Sequence, residues 1–342
     1  MTSQTEVHDV IIVGAGPAGL AAGLYTSRDR YKTLLLEKNG LPGGQIMLTE
    51  RIENYPGYEN ISGPDLVQNM ARQVENFGAP IATGEEVSSI TRRNEELLEV
   101  QVNEGEKTYL ARAIILTPGS EYRQLGVPGE VEMRQATRVS YCATCDGAFY
   151  RGKHVMTVGG GNTAVEDTIY LATRFAQRVT MVHRRREFRA QQVLVEELAA
   201  LAKEKGNLDI KVPFVLEEIV PTADKADIDH VRLKNVEDGT IERIKVDGVF
   251  AFVGMVPNTK FLRGIVPMDE GGYIACDPVT LRTPTPGIFV AGDCRQRASM
   301  QLATACADGV IAAMMLKEYF RSPKMWKKPA VPGQPAGAEP GW

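Results

Sequence analysis

The sequence has few cysteines and no long apolar segment. Only five cysteines occur in 342 residues, and their uneven spacing does not fit the disulfide framework of a small secreted protein. The longest apolar run, Val249–Val256, is too short to span a bilayer, and the polar N-terminus does not resemble a signal peptide. The net charge of −4 offers no basic surface for nucleic acid or anionic membrane. We therefore expect a soluble cytoplasmic enzyme that binds neither nucleic acid nor membrane.

Aromatic residues are also scarce, at 7% of the chain, whereas glycine is plentiful at 33 residues. This composition favours a nucleotide-binding α/β protein over a β-sandwich. The chain is longer than one ordinary domain, so we expect two domains, each with its own core.

The first 40 residues carry a strand–turn–helix–strand pattern. An apolar strand, Val10–Val13, precedes the sequence GAGPAG at 14–19, a small-residue helix and a second apolar strand, Thr33–Glu37. In such a turn the glycines permit a tight bend, close approach of a pyrophosphate, and packing of the helix on the strand. The helix N-terminus favours the anion, and Glu37 can accept hydrogen bonds from ribose hydroxyls. The pattern predicts a dinucleotide site.

The same pattern recurs further along the chain. The strand His154–Val158 leads into GGGNTA at 159–164, a helix and a strand that ends at His183. Arginines 184, 185 and 189 follow where the first unit has an acid, and guanidinium groups favour a 2′-phosphate through charge-assisted hydrogen bonds. We therefore predict that this second site binds NADPH and that the first site binds a nucleotide without a 2′-phosphate. A solvated basic face is the alternative interpretation.

The pair Cys142-Ala-Thr-Cys145, followed by Asp146, carries the sharpest chemical signal. Two cysteines at this spacing can close a reducible disulfide, in which one thiolate attacks a partner disulfide and the other resolves the mixed intermediate. Asp146 can donate or accept the proton that this chemistry requires. Half a zinc site and a pair of inert buried cysteines are the alternatives, although no second Cys or His pair has ligand spacing. We interpret the other cysteines as structural: Cys276, Cys294 and Cys306.

A third signal near the end of the chain defines the domain organisation. The strand Gly287–Asp293 ends in Gly-Asp, where Asp293 suits hydrogen bonding to a ribityl chain or to bound water, and a long helical pattern follows. We place the second βαβ unit as an insertion into a discontinuous first domain, so the fold class is α/β with two Rossmann-like nucleotide-binding domains. Five prolines and three glycines without a period mark the last residues as a flexible tail. The predicted domains are residues 1–122 with 256–321, residues 123–255, and the tail at 322–342.

Two nucleotide sites and one dithiol indicate an electron path. Reducing equivalents would pass from nicotinamide to flavin, then to the disulfide and on to a protein disulfide. Because the dithiol and the NADPH pattern belong to the same inserted domain and both need one flavin, we predict that this domain rotates about its two connections.

Six motifs in combination resemble one family, the low-molecular-weight bacterial thioredoxin reductases, which are pyridine nucleotide-disulfide oxidoreductases. The motifs are GAGPAG at 14–19, GGQI at 43–46, CATCDG at 142–147, GGGNTAVED at 159–167, HRRREFRA at 183–190 and GIFVAGD at 287–293. The resemblance implies a homodimer with FAD in the discontinuous domain, NADPH in the inserted one, and thioredoxin or a thioredoxin-like protein as partner. It implies no metal.

The resemblance also implies roles for individual residues. Cys145 would face the flavin, Cys142 would attack thioredoxin, and Asp146 would donate the proton. The chain departs from many members at Thr117-Pro-Gly119 and at Ser299-Met-Gln-Leu302. The implied FAD-binding residues are Gly14, Gly16, Pro17, Ala18, Gly19, Glu37, Gly44, Gln45, Asn54, Gly119, Gly292, Asp293, Gln301 and Leu302. The implied NADPH-binding residues are Gly159, Gly161, Asn162, Thr163, His183, Arg184, Arg185 and Arg189.

Related activities remain as alternatives. The reductase of a peroxide-reducing system has a thioredoxin-like N-terminal extension, and ferredoxin–NADP reductases of this fold lack the dithiol. Glutathione-reductase-type enzymes place the redox pair early and use a C-terminal histidine, whereas the last histidine here is His230. Two further alternatives are a flavin-dependent NAD(P)H reductase of another partner, such as a glutaredoxin-like protein, and a non-catalytic flavoprotein sensor.

Overall fold

The computed structural model describes residues 6–49, 52–323 and 326, and these residues form two compact units. The first unit contains the described residues up to Glu121 and those from Val256 onward, and the second comprises Tyr122–Met255. The chain thus enters the second unit one residue earlier than predicted. Which nucleotide each unit binds stays a prediction.

The strands are numbered in chain order. They are β1 (Val7–Val13), β2 (Thr33–Glu37), β3 (Ile81–Thr83), β4 (Val87–Arg92), β5 (Leu98–Val102), β6 (Lys107–Leu116), β7 (Ser120–Tyr122), β8 (Val139–Ser140), β9 (His154–Gly159), β10 (Arg178–Val182), β11 (Leu208–Lys211), β12 (Phe214–Pro221), β13 (Ile228–Asn235), β14 (Ile241–Ile244), β15 (Gly248–Phe252), β16 (Met255–Pro257) and β17 (Ile288–Val290).

The α-helices are numbered in the same way, and short 3-10 helices lie between them. The α-helices are α1 (Pro17–Arg28), α2 (Gly63–Asn76), α3 (Glu130–Gln135), α4 (Ala143–Asp146), α5 (Asn162–Arg174), α6 (Gln192–Lys205) and α7 (Leu302–Arg321). The 3-10 helices are Gly44–Leu48, Asn103–Gly105, Gly147–Tyr150 and Lys260–Leu262.

The first unit is built on a seven-stranded sheet in the order β3-β2-β1-β6-β5-β4, with β17 also paired to β6. Strands β3, β2, β1, β6 and β17 are parallel, whereas β4, β5 and β6 run antiparallel. Strand β6 serves both parts because its first half pairs with β5 and its last three residues pair with β17. The parallel part carries the first glycine-rich turn.

Both faces of the first sheet are buried, which explains the continuous apolar run in β1. Val10 and Ile12 face a core closed by α1, α2 and α7, whereas Ile11 and Val13 face a core shared with β4 and β5. A parallel strand covered on both faces needs apolar residues at every position. The carboxyl end of β1 is thereby held rigidly where the glycine turn begins.

Helices α1 and α7 pack closely through small residues. A Cβ at Gly309 of α7 would lie 2.1 Å from the carbonyl oxygen of Ala18 in α1, so only glycine permits this approach. Both helices begin near the predicted flavin site.

The second unit contains a five-stranded parallel sheet, β11-β10-β9-β15-β8, and a three-stranded antiparallel sheet, β12-β13-β14. Met156 and Val158 of β9 face the antiparallel sheet, whereas Val155 faces the core closed by α5 and α6. The segments that link the two units include β7 and β16, which pair with each other. The predicted fold class, α/β with two Rossmann-like units, is confirmed.

Several predicted element boundaries move by a few residues. Helix α1 begins at Pro17 and α5 at Asn162, each inside the glycine-rich sequence that was predicted to precede the helix, because Gly16 and Gly161 are the N-caps. Strand β17 is shorter than predicted because Gly287 and Gly292, which flank it, adopt positive φ.

Most of the predicted tail at 322–342 lies outside the described residues. Trp326 is an exception: its side chain is buried and packs edge-on against Phe289 and Tyr319. This residue departs from the prediction of a flexible tail because a large indole gains more from burial than from hydration. Within the described ranges no helix has the length and apolarity to cross a membrane.

Candidate functional site

The two cysteines of the CATC motif form a disulfide in the second unit. Cys142 is the N-cap of α4, and its Sγ accepts a hydrogen bond from the backbone N–H of Cys145 at 3.2 Å. Cys145 is exposed and Cys142 is half-buried. After reduction, the same N–H would stabilise the thiolate form of Cys142 by a hydrogen bond. The other three cysteines are free, and Cys294 is fully buried.

Asp146 is held beside the dithiol by a serine that sequence reasoning missed. The Ser140 hydroxyl donates to Asp146 Oδ2 at 2.6 Å and accepts from the Cys142 backbone N–H at 3.1 Å. Burial raises the pKa of Asp146, and the hydrogen bond from Ser140 opposes this shift. A carboxyl group with a raised pKa is suited to proton transfer near neutral pH. The CATCD pattern shows the acid, but not its partner across the turn.

The first glycine turn has the geometry that a pyrophosphate requires. Gly14 has φ +102°, and a Cβ there would lie 2.3 Å from the carbonyl oxygen of Thr117. A Cβ at Gly19 would lie 1.9 Å from the Gly14 oxygen, whereas Gly16 faces open space within 4 Å. Because the N-cap of α1 is glycine, no side chain caps the first-turn N–H groups. Pro17 and Ala18 open this helix, and its N-terminus is available to an anion.

Glu37 lies at the end of β2 and is buried against the turn. Its Oε2 accepts from the Ala15 backbone N–H at 2.9 Å, and its Oε1 accepts from the backbone and side chain of Asn39. A carboxylate has about four acceptor positions, so about one position remains for a ribose hydroxyl. Glu37 therefore both fixes the turn and can bind the predicted nucleotide. Asn39 was missed because no motif includes it.

The GGQI loop lies next to this turn. The Gly43 backbone N–H donates to the Ala15 carbonyl at 2.8 Å, and a Cβ at Gly44 would lie 3.7 Å from the Cα of Gly16. The Gln45 side chain donates to the Ser120 carbonyl. Gly44 is thus brought to the first glycine turn and Gln45 to Ser120 in β7.

Two further predicted contacts meet at the start of α7. The side-chain amide of Asn54 donates to Gln301 Oε1 at 3.4 Å, and Gln301 is the N-cap before Leu302. Gly119 has φ +67°, and its carbonyl accepts from the Asn258 backbone N–H. The structure therefore pairs Asn54 with Gln301, which Leu302 follows, and places Gly119 on the segment that follows β6.

Asp293 follows β17 with its carboxylate close to a buried ion pair. The Arg295 guanidinium binds Asp308 through two hydrogen bonds, of 2.6 and 2.9 Å, and Asp308 also accepts from the Gly292 backbone N–H. Burial raises the pKa of Asp293 to about 6, Asp308 adds to this shift, and Arg295 opposes it. Arg295 and Asp308 fix the Gly-Asp turn, and no sequence motif indicated either residue.

The second glycine turn repeats the geometry of the first. A Cβ at Gly159 would lie 2.5 Å from the Phe252 carbonyl oxygen, whereas Gly161, the N-cap of α5, faces open space. Asn162 and Thr163 form the first turn of α5, and the Asn162 side chain accepts from the Gln191 backbone N–H. The backbone of this turn is open to a ligand phosphate.

His183 has a structural environment. Its ring is buried, stacks on Phe188 at 5.1 Å, and occupies the space of the missing side chain of Gly160. Its Nε2 contacts the Glu187 carbonyl, and burial lowers its pKa. His183 therefore positions the basic loop, and its role as a direct NADPH contact stays a prediction.

The arginines after β10 differ in their partners. Arg186 forms an ion pair with Glu237. Arg184, Arg185 and Arg189 are exposed, and among the described residues no carboxylate pairs with them. Three guanidinium groups without carboxylate partners fit a phosphate dianion.

The residues of both turns fit nucleotide cofactors, although the structure carries none. Gly16 and Gly161 leave space where a Cβ would meet no atom, and each lies at the N-terminus of a helix of at least twelve residues. Asp293 has no hydrogen-bond partner among the described residues and can serve a ligand hydroxyl. These donors and acceptors match a pyrophosphate and its attached polyols.

The chain is similar to known proteins over most of its length. Residues 8–309 match the pyridine nucleotide-disulphide oxidoreductase family. The chain is 43% identical over 328 residues to a thioredoxin reductase of Listeria innocua, covering 95% of this chain and 97% of that protein. It is 42% identical to a thioredoxin reductase of Bacillus subtilis, covering 93% and 96%. The crystal structure of a Streptococcus pyogenes thioredoxin reductase superposes with a TM-score of 0.84 at 38% identity, covering 93% of this chain and 100% of that one.

Proposed function

Because the chain belongs to the pyridine nucleotide-disulphide oxidoreductase family, we infer that it is an oxidoreductase that reduces a protein disulfide and acts as a thioredoxin reductase. The observation that carries this function is the Cys142–Cys145 disulfide, which shares one unit with the glycine turn and its three arginines. The family uses a flavin and a pyridine nucleotide.

We assign FAD to the first unit and NADPH to the second. Glu37 supports the first assignment because an acid at this position favours a ribose hydroxyl over a phosphate. Arg184, Arg185 and Arg189 support the second because their guanidinium groups suit a 2′-phosphate. When bound, these cofactors supply hydride transfer from nicotinamide and two-electron reduction of a disulfide.

The chain's own residues then perform thiol–disulfide exchange. The Cys142 thiolate attacks one sulfur of the thioredoxin disulfide, which forms a mixed disulfide and releases the other sulfur as a thiolate. The Cys145 thiolate attacks Cys142 Sγ, closes the enzyme disulfide and releases the second thioredoxin sulfur. Asp146 supplies a proton to a departing thiolate and recovers it from a thiol in the next cycle. The exchange conserves electrons: one dithiol is oxidised and one disulfide is reduced.

The assembly and location of the protein follow from the same proposal. We propose a homodimer located in the cytoplasm, with thioredoxin or a thioredoxin-like protein as partner and with neither nucleic acid nor membrane as a ligand. Size-exclusion chromatography with light scattering tests the homodimer, and cell fractionation tests the location.

The function is tested with the purified flavin-loaded protein and thioredoxin. NADPH oxidation should depend on thioredoxin, and Cys142→Ser should abolish this dependence. Cys145→Ser should accumulate a mixed disulfide between Cys142 and thioredoxin. Cys276→Ala is the matched control, because Cys276 is a free cysteine outside the proposed chemistry, and it should retain turnover. A protein that takes up no flavin, or a Cys142→Ser variant with full turnover, would contradict the proposal.

A further inference from the structure

A buried carboxylate links the dithiol to the connecting segment, defined here as residues 122–129. Glu130, the first residue of α3, is 1% exposed. Its carboxylate accepts from the backbone N–H groups of Leu125 at 2.8 Å and Gly126 at 2.7 Å. It also accepts from the Tyr141 hydroxyl at 2.7 Å. Tyr141 directly precedes Cys142, so the Glu130 side chain joins the connecting segment to the residue before the dithiol.

The ring of Tyr141 is fixed on both faces. It stacks on Tyr122 at 5.0 Å with an interplanar angle of 16°, and the Arg134 guanidinium lies 4.9 Å from its centre. Burial and the Glu130 carboxylate raise the pKa of Tyr141, so its hydroxyl stays protonated and remains a donor. The ring and the hydroxyl together determine one position for the backbone of residue 141.

Glu130 depends on these hydrogen bonds. Among the described residues it forms no ion pair, and a buried carboxylate without a cation is stable only when hydrogen-bonded. Removal of the Tyr141 hydroxyl would leave part of a buried charge without a donor. The three contacts are therefore expected to form or break together.

The elements on either side of Tyr141 are short. Strand β8 has two residues and pairs with β15 only through Val139 and Ser140, and α4 after Cys142 has four residues. Tyr141 lies between these two short elements. The position of Cys142 consequently relies on the Tyr141 contact and on Ser140, together with the buried Ala143, whose backbone N–H donates to the Asp167 carboxylate.

We propose that Glu130 and Tyr141 are positioning residues, which hold Cys142 where its sulfur receives the Cys145 N–H and can attack a protein disulfide. The inference rests on the proposed function and adds two residues that act through Cys142 and touch neither cofactor nor substrate. It also makes the connecting segment part of the dithiol site, because Tyr122, Leu125 and Gly126 hold the other side of the network.

The test uses Tyr141→Phe in the flavin-loaded protein, with Tyr150→Phe as the matched control. Tyr150 is also a buried tyrosine of the second unit, and its hydroxyl donates to the Thr137 carbonyl. We expect Tyr141→Phe to lower kcat/KM for thioredoxin about tenfold, the scale of one lost hydrogen bond to a charged group, whereas NADPH reduction of the flavin is unchanged. Tyr150→Phe should change neither rate.

A second readout does not require turnover. In protein reduced with dithiothreitol, the pH dependence of Cys142 alkylation by iodoacetamide, followed by peptide mass spectrometry, reports the pKa of this thiol. Tyr141→Phe should raise that pKa and slow alkylation at neutral pH, because Cys142 then departs from the Cys145 N–H. Glu130→Gln should act in the same direction, and the double variant should be no worse than the more affected single variant.

The outcomes separate the two proposals. If Tyr141→Phe and Tyr150→Phe behave alike in both assays, or if Glu130→Gln and Tyr141→Phe have additive effects, the positioning role is wrong. If the wild-type protein takes up flavin but does not reduce thioredoxin, the proposed function is wrong. The alkylation rates of the single and double variants still test the positioning role of Glu130 and Tyr141, because they do not require turnover.

Discussion

In the proposed mechanism, the acid–base chemistry of the dithiol depends on Ser140. Its hydroxyl contacts both Asp146 and the backbone N–H of Cys142, so it relates the position of the Asp146 carboxyl group to that of Cys142. Burial and this hydrogen bond act in opposite directions on the pKa of Asp146. The balance between them can be measured.

Ser140→Ala should raise the pKa of Asp146, because burial remains while a donor to the carboxylate is lost. A step that requires protonated Asp146 falls off as pH rises through this pKa, so its alkaline limb should move to higher pH. The measurement is kcat/KM for thioredoxin against pH. Ser140→Thr retains the hydroxyl and should keep the wild-type profile. An unchanged profile in Ser140→Ala would show that Ser140 does not control this proton.

The arginines without a carboxylate partner in the described part of the chain should determine the choice of nucleotide. Replacing Arg184 and Arg189 by Gln removes charge-assisted hydrogen bonds, each worth about 1.5–3 kcal/mol, and should lower kcat/KM for NADPH at least about tenfold. The value for NADH should change little. Arg186→Gln is the matched control, since Arg186 pairs with Glu237. Equal losses for both nucleotides would indicate a general structural effect instead.

Residues that act within one local motif could be predicted from the sequence. Gly14, Gly16 and the two cysteines belong to turns whose geometry depends on a few neighbours, so their spacing was informative. Asp308 and Glu130 could not be predicted, because neither residue belongs to a motif and the sequence does not indicate their contacts with Gly292 and Tyr141. Their burial as charged residues depends on packing, which the sequence pattern does not specify.

At the level of elements, we expect the stability of the first unit to depend on the packing of α1 against α7. The pattern of apolar residues predicted both helices but not their closest contact, because Gly309 meets the backbone of Ala18 across the whole length of the chain. The start of α1 was also predicted too late, because Pro17 and Ala18 were assigned to the turn.

Gly309→Ala should destabilise the flavin-loaded protein and weaken FAD binding. The new Cβ would lie 2.1 Å from backbone oxygen, and backbone cannot move aside without separating the helices. We expect a loss of about 1–3 kcal/mol, measured by denaturant unfolding, with a weaker FAD affinity by fluorescence titration. Gly23→Ala on α1 is the control, because the nearest atoms to its Cβ would be side-chain carbons of Leu35 at 3.0 Å and Val74 at 3.3 Å rather than backbone. Equal effects of the two variants would contradict this account.

On the scale of the whole molecule, the two units should respond separately to removal of the cofactor. If FAD binds only the first unit, its removal should increase hydrogen exchange in α1 and at the start of α7, but not in β9 and α5. A ligand at a thousandfold excess over its Kd stabilises the state that binds it by about 4 kcal/mol. Hydrogen–deuterium exchange with mass spectrometry measures this. An equal increase in hydrogen exchange in both units would contradict binding of FAD to the first unit alone.

The discontinuity of the first unit has a consequence for biosynthesis. Residues 122–255 are contiguous and can acquire their sheets as soon as they leave the ribosome, whereas the first sheet lacks β17 until residue 290 has been translated. During that interval Ile114–Leu116 of β6 pair with β1 but not with β17, and the apolar face that α7 later covers is exposed. The nascent chain is therefore most vulnerable to aggregation, and most in need of a chaperone, while the inserted portion is being made.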